Sequence, residues 1–226
     1  MGRLRVLHGA DPGGQAEVDG ARALLGAVVG GAGETLRIYR PSGPTVAFGR
    51  IDTLRPGYGS AVAAARSHGF EPVVRSVGGR AVAYDSTCLV LDHAAPQLQR
   101  SLDTRRRFDA FGRLYAEALG GLGVDARVGE VPDEYCPGPF SINARGAVKL
   151  VGTAQRVTRG GWLFSAVVLV DSAARLREVL SPVYAGIGMA FEPGSVGAVA
   201  EEIPGVTADD VEQAVLEQYA RRWQLG

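Results

Sequence analysis

The stretch "EYCPGPFSINARGAVKLVGTAQR", Glu134 to Arg156, holds one of two cysteines in the chain, Cys136, and its only lysine, Lys149. "FSIN" and "AVKLVGTAQR" flank "ARG", which reads as two strands joined at a tight turn near Arg145-Gly146. A two-residue turn there would set Lys149 beside Ile142 on the partner strand. Cys136 precedes Ile142 by six residues, roughly 20 Å if extended, so its thiol nears the lysine only where the chain doubles back. "CPGP" supplies the means. Pro137 suits the second position of a type II turn and Gly138 the third, where φ is positive, leaving Cys136 at the opening corner.

Outward from this hairpin, strands and helices alternate without a regular βα rhythm. On the N-terminal side, Gln15 to Val29 carries Val18, Ala21, Leu25, Val28 and Val29 at helical spacing, and "GGAGE" closes that helix. "TLRIYR" and "TVAFG" are short strands around the turn "PSGP". Tyr58 to His68 is a helix of small residues, and "FEPVVRSVGGRAVAYDSTCLVLDH" reads as strand, glycine turn, strand. Asp103 to Leu119 lays Phe108, Phe111, Tyr115 and Leu119 on one helical stripe, its "RRR" a solvated first turn. "VDARVG" is a strand. On the C-terminal side come the apolar strand "GWLFSAVVLVD", a short helix at Ser172 to Leu180, and irregular Gly/Pro-rich sequence. Thr207 with Asp210 then starts a last helix, with Val211, Val215, Tyr219 and Trp223 on its apolar side. The expectation is an α+β fold: a single domain over residues 1–226 with a mixed, mostly antiparallel sheet packed by helices.

Composition narrows the partners. Basic and acidic residues balance at 24 each among 226 residues, so no overall field draws the chain to nucleic acid or an anionic membrane. The longest apolar runs, such as "WLFSAVVLV", fall well short of the roughly 20 residues that span a bilayer. "MGRLRVLHGADPGG" has no signal-peptide hydrophobic region, and a cytoplasmic protein is expected. Two cysteines make no disulfide framework and neither sits at zinc-site spacing, so no structural metal is expected. His8, His68 and His93 fit no triad spacing, and Cys88, in "TCLVLD", reads as core, as do Trp162 and Trp223.

Of the 24 basic residues 23 are arginine, a bias against which the one lysine stands out. Lysine offers a compact charge with a perturbable proton where arginine offers a permanent planar fork. A cation near Cys136 would favour its thiolate, making it a nucleophile, and an ammonium can also hold an acyl oxygen as charge develops on it. On the residues alone, a half-buried loop cysteine and an ordinary surface lysine remain open alternatives.

Three motifs add a resemblance. "TVAFGR", "VVRSVGGRAVAYD" and "VKLVGTAQR", the last with the pattern Lys-x-x-Gly-x-Ala-Gln-Arg, resemble the lipoate-protein ligase and octanoyltransferase family, whose catalytic domain is shared with biotin-protein ligases. The likeness runs from about Ala16 to Trp223. "CPGPFSIN" is similar to the cysteine-dependent octanoyltransferase branch. No biotin-loop motif is present, which disfavours biotin ligation.

The resemblance implies transfer of an octanoyl or lipoyl group from a carrier-bound thioester, through a Cys136 thioester, to the target lysine of a lipoyl domain. It implies an acyl carrier protein or the glycine-cleavage H protein as donor, and lipoyl domains of 2-oxoacid dehydrogenases as acceptors. Cys136 and Lys149 match the catalytic positions; Arg75, Gly78, Gly79, Arg80, Gly152, Thr153 and Ala154 match the substrate-binding ones. Transfer of this kind needs no cofactor. The alternatives are an ATP-dependent lipoate-protein ligase working with Mg-ATP through a lipoyl-adenylate, and a non-catalytic acyl-binding member. Tyr84 stands where many relatives carry histidine, and Asp52 where many carry glutamine. Asp85 follows the glycine signature and could orient its loop. The accessory domain of many single-chain ligases is not expected, since the chain ends at Gly226.

Overall fold

A computed structural model describes residues 2–9, 13–97 and 104–226. The quoted stretch does form adjacent antiparallel strands, β8 (Ile142–Ala144) and β9 (Val148–Thr158). The turn differs from expectation. Ala147 joins it, its N–H donating to the Ala144 carbonyl at 2.9 Å, so the loop has three residues and Ala144 faces Val148. Lys149 therefore lies opposite Asn143 rather than Ile142, with a bulge between Ile142 and Asn143.

β9 continues into β10 (Gly161–Val168), which pairs on its far side with β6 (Leu89–Pro96), and β6 with β2 (Thr35–Tyr39), all antiparallel. β1 (Gly2–His8) adds in parallel to β2, and β11 (Trp223–Leu225) adds in parallel to β1; neither is evident from the sequence. With β7 (Ala126–Val128) beyond β8, the eight-stranded order is β11-β1-β2-β6-β10-β9-β8-β7. A second sheet, β4 (Glu71–Val74), β3 (Thr45–Phe48) and β5 (Val82–Tyr84), has β3 in the middle. The strands around the glycine signature are thus not a hairpin: each pairs with β3, and the glycine segment crosses over it. The sheets are mixed and mostly antiparallel, as expected of an α+β fold.

Among the described residues six α-helices cover these sheets: α1 (Gly14–Val29), α2 (Tyr58–Ser67), α3 (Thr104–Gly121), α4 (Ala173–Gly186), the short α5 (Val199–Glu202) and α6 (Ala208–Ala220). Asp103, the expected start of α3, lies outside the described residues. Phe111, Leu114 and Tyr115 of α3 meet Val211, Val215 and Tyr219 of α6 against the large sheet. α6 starts with the expected Thr207–Asp210 capping box but ends at Ala220, and Trp223 belongs to β11. Trp162 and Trp223 are half-buried around His93, their rings 5.0 and 5.2 Å from its centroid.

α4 corrects a second expectation, for it runs past Pro182 to Gly186. A proline inside a helix costs about 3 kcal/mol. Val179, Leu180 and Val183 are fully buried, each contributing about 1.5–3 kcal/mol, so continuation outweighs that cost. The helix thereby carries Tyr184 into the core between α2 and the three-stranded sheet.

Candidate active site

Two loops meet where the two sheets adjoin. One is the cysteine loop, 134–141, ahead of β8; the other is the glycine segment, 75–80, between β4 and β5. Glu134 anchors the first. Its Oε1 accepts from the Ser141 hydroxyl at 2.6 Å and the Gly138 N–H at 3.1 Å, tying both ends of the loop to one buried carboxylate. The expected type II turn is absent: Cys136 itself takes the left-handed conformation, φ 44°, and Gly138 does not. A non-glycine residue held there stores strain that its surroundings must overcome. Two hydrogen bonds do so. The Cys136 N–H donates to the Tyr184 hydroxyl at 2.7 Å, and its carbonyl accepts from Lys149 Nζ at 2.8 Å.

That conformation turns the sulfur toward the glycine segment. Sγ accepts from the Arg80 backbone N–H at 3.1 Å and has Arg75 Nη2 at 3.7 Å. Arg75 Nη2 also donates to the Arg80 carbonyl at 2.6 Å, bracing the turn. Gly79 is required twice over, for its φ is +99°, and a Cβ there would lie 2.9 Å from Sγ and 2.5 Å from Arg75 Nη2. Tyr184 locks the two loops together, donating its own hydrogen to the Ala81 carbonyl at 3.0 Å.

Lys149 sits behind the cysteine loop, 2 % exposed. Its ammonium donates to the Tyr135 and Cys136 carbonyls, stands 4.7 Å from the Tyr135 ring and faces Glu134 at 3.6 Å. Burial pushes its pKa below the ordinary lysine value and that of Glu134 above its own ordinary value. The single lysine thus has a geometric setting: a buried slot closed by two backbone carbonyls and a carboxylate, which a compact ammonium fills.

Cys136, Lys149, Gly78, Gly79, Thr153 and Ala154 all line one cleft of about 640 Å³, within the usual range of small-molecule sites. Its outer wall is apolar, with Phe108 and Phe140 stacked at 5.1 Å. Gly152 lies beside it, under the Lys149 side chain. Arg80 contributes its backbone N–H, while its guanidinium turns to the buried Asp52 at 3.3 Å. Asp52, which also accepts from the Gly49 N–H, thus fixes the start of β5 to the end of β3. Tyr84 is buried on the wall of a separate narrow cavity of about 50 Å³ with Tyr39, Val77 and Asp92. Asp85 organises the turn into β6, accepting from the Thr87 N–H and hydroxyl, rather than the glycine segment.

The remaining candidates stand apart. Cys88 is buried, its thiol pushed up to about 12 by desolvation. His93 is a core residue paired with Glu34, while His8 and His68 are exposed. Among the described residues no group of three or more His, Cys, Asp or Glu side chains could hold a metal ion, and no helix is long and apolar enough to cross a membrane. Sequence reasoning missed Tyr184 and the anchoring carboxylate Glu134. Glu134 stood inside the quoted stretch, and Tyr184 continued the α4 apolar pattern one turn beyond Leu180.

Residues 21–220 match the model of the lipoyl protein ligase A/B catalytic domain, which takes in both loops and nearly all of the fold. The chain belongs to this family. Within it, an octanoyl-[GcvH]:protein N-octanoyltransferase of Geobacillus kaustophilus is 31% identical over 60% of this chain and 48% of its own length. A lipoyl-[GcvH]:protein N-lipoyltransferase of Listeria monocytogenes is 27% identical over 60% of this chain and 49% of its own. The chain spans about half the length of the curated relatives it matches. A lipoate-protein ligase A structure bound with ATP superposes over 100% of this chain and 89% of its own, with TM-score 0.74 and 20% identity, and so shares the family fold.

Proposed function

We propose that this member of the family is a cysteine-dependent acyltransferase that moves an octanoyl or lipoyl group between proteins in the cytoplasm. The observation that carries the reading is the Cys136 sulfur at the head of an apolar-walled cleft, with the Arg80 N–H and the Arg75 guanidinium directed at it. In the first half-reaction the Cys136 thiolate attacks the acyl carbonyl, a new S–C bond forms, and the donor leaves. An acyl carrier protein thioester would leave as its thiol, and an octanoyl-lysine of the glycine-cleavage H protein as its amine, protonated on departure. In the second, the uncharged amine of a lipoyl-domain lysine attacks the enzyme thioester, an amide forms, the thiolate is regenerated and the amine's surplus proton is released. From a carrier thioester the overall transfer to an amide is downhill, and from an octanoyl-lysine it exchanges one amide for another, so neither route needs ATP to activate the acyl group.

The N–H donors beside the sulfur serve two ends. They orient the nucleophile, and they lie where an acyl oxygen bound next to it would gain negative charge. Lys149 then acts from behind, fixing the carbonyl of Cys136 and so the unusual backbone turn. The names of the Geobacillus and Listeria relatives, which pair an octanoyl- or lipoyl-bearing GcvH with a protein, support this chemistry and the H protein as a partner.

The test is intact-mass analysis of the protein after incubation with octanoyl-carrier. A hydroxylamine-sensitive acyl adduct that disappears in Cys136→Ala is expected. Lipoate-dependent pyrophosphate release with no such adduct would replace this reading with an ATP-dependent ligase.

A further inference from the structure

On the α1 side of the glycine segment lies a second cleft, of about 410 Å³, apart from the one that holds the thiol. Arg22, Arg50, Arg75 and Arg156 line it, with Asp19 the only acidic residue in its wall among the described residues. They come from α1, the segment after β3, the glycine segment and β9, so the fold gathers them from distant parts of the sequence. Arg22 and Arg50 are exposed, and among the described residues neither side chain has a hydrogen-bond or ion-pair partner. Arg156 is held by the Ser76 carbonyl at 2.8 Å, and Asp19 accepts from Gln15 at 3.2 Å. Arg75 and Ser76 stand between this cleft and the narrow cavity beside Tyr84, and Arg75 Nε and Ser76 Oγ are cut off from water with no partner among the described residues. In a chain whose charges balance, four guanidinium groups against one carboxylate form a local excess that its own side chains leave uncompensated.

Arg75 links this cleft to the thiol, for its Nη2 lies 3.7 Å from Cys136 Sγ. We propose that the arginine cleft is the docking surface for an acidic protein domain, the carrier that delivers the acyl group to Cys136. The inference rests on the acyl-transfer reading. The cleft is wide, and its two free guanidinium groups stand on separate segments, an arrangement suited to several carboxylates spread over a protein surface. A domain seated there rests against the segment that supports the thiol, and its attached acyl chain reaches around the glycine turn into the apolar cleft. Steering by such a field raises encounter rates and weakens with salt.

Arg22→Glu/Arg50→Glu reverses the two free charges without touching the thiol or its donors. Transfer from octanoylated H protein and from octanoyl-N-acetylcysteamine, an uncharged thioester, is compared in the two proteins. The expected result is a KM for the protein donor raised at least ten-fold with kcat held within about two-fold, a flattened salt dependence, and unchanged acylation from the small donor. Equal loss from both donors, or no change with the protein donor, overturns the proposal. Inorganic phosphate that binds the cleft without competing against the protein donor also overturns it, assigning the cleft to a small anion. Direct titration with labelled octanoyl-H protein separates the two readings. If the wild type forms no acyl-Cys136 from either donor, the acyl-transfer reading fails, and docking is then decided by affinity alone: a ten-fold weaker complex for the reversed variant supports it, and equal affinity ends it.

Discussion

Lys149 donates its ammonium hydrogen to the carbonyl oxygen of Cys136 at 2.8 Å, so the lone lysine of the chain holds the backbone of the residue that presents the thiol. Its counter-charge, Glu134, anchors both ends of the same loop. Removing the lysine alone would leave that carboxylate buried without its cation, which typically costs about 3–5 kcal/mol. Burial raises the Glu134 pKa above its ordinary value, so the cost of holding its charge in the folded state grows as pH rises through the folded-state value. Lys149→Met should therefore melt lower at pH 8 than at pH 5 relative to wild type. Glu134→Gln in the same background should abolish that difference. Equal losses at both pH values in thermal melts would show that the two groups are not coupled.

Tyr184 bridges the Cys136 N–H and the Ala81 carbonyl, so its hydroxyl ties the cysteine loop to the end of the glycine segment. Phenylalanine in its place keeps the ring against Phe191 but leaves a backbone N–H and a carbonyl short of partners, at about 1–3 kcal/mol. The left-handed turn at Cys136 then loses half of what holds it. Tyr184→Phe is expected to remain folded while kcat for acyl transfer falls roughly 10- to 100-fold, in line with that energy, and KM changes little. Hydrogen exchange at residues 134–138 should quicken. Unchanged exchange alongside unchanged kcat would remove Tyr184 from any positioning role.

Gly79 offers a sharper geometric test. An alanine there needs a strained φ and places a methyl group within 3 Å of both the sulfur and the Arg75 guanidinium. Gly79→Ala should cost at least ~100-fold in transfer, the scale on which small misplacements at a reacting centre act. Melting temperature should shift by only a few degrees. The alkylation rate of Cys136 by iodoacetamide should change together with transfer; retained transfer would mean the sulfur works from another position.

The hairpin and the capping box of α6 were legible because turn and cap chemistry are local: Arg145-Gly146 and Thr207–Asp210 each act within a few residues. What escaped was decided at a distance. Trp223 falls four residues after Tyr219 and so fits the helical stripe, yet parallel pairing with β1 draws it into a strand. α4 crosses Pro182 because burial by α2 and the small sheet outweighs a local penalty. Cys136, rather than the more permissive Gly138, takes positive φ because Tyr184 and Lys149 grip its peptide groups from elements 48 and 13 residues away. The motif residues Gly78, Gly79, Thr153 and Ala154 could be placed around one cleft, but no local pattern marks Lys149 as a donor to the backbone carbonyls of its own chain rather than to an acyl oxygen.

His93 adds a pH-dependent contribution from the core. Its ring is 1 % exposed and packed among Phe111, Trp162, Tyr219 and Trp223, with Nε2 against Glu34 at 2.9 Å; Arg107 also faces it. Desolvation lowers its pKa below 6.5, against the opposing pull of Glu34. A lowered value means that the native state holds the neutral ring while the unfolded chain takes up a proton. The stability this confers is present above about pH 6.5, the unfolded value, and is lost as pH falls through the lower folded value. Urea unfolding between pH 7.5 and 5 should show stability dropping on the acid side, and His93→Gln should flatten that drop even if it lowers stability throughout. A slope that persists in His93→Gln would assign the acid sensitivity to other groups.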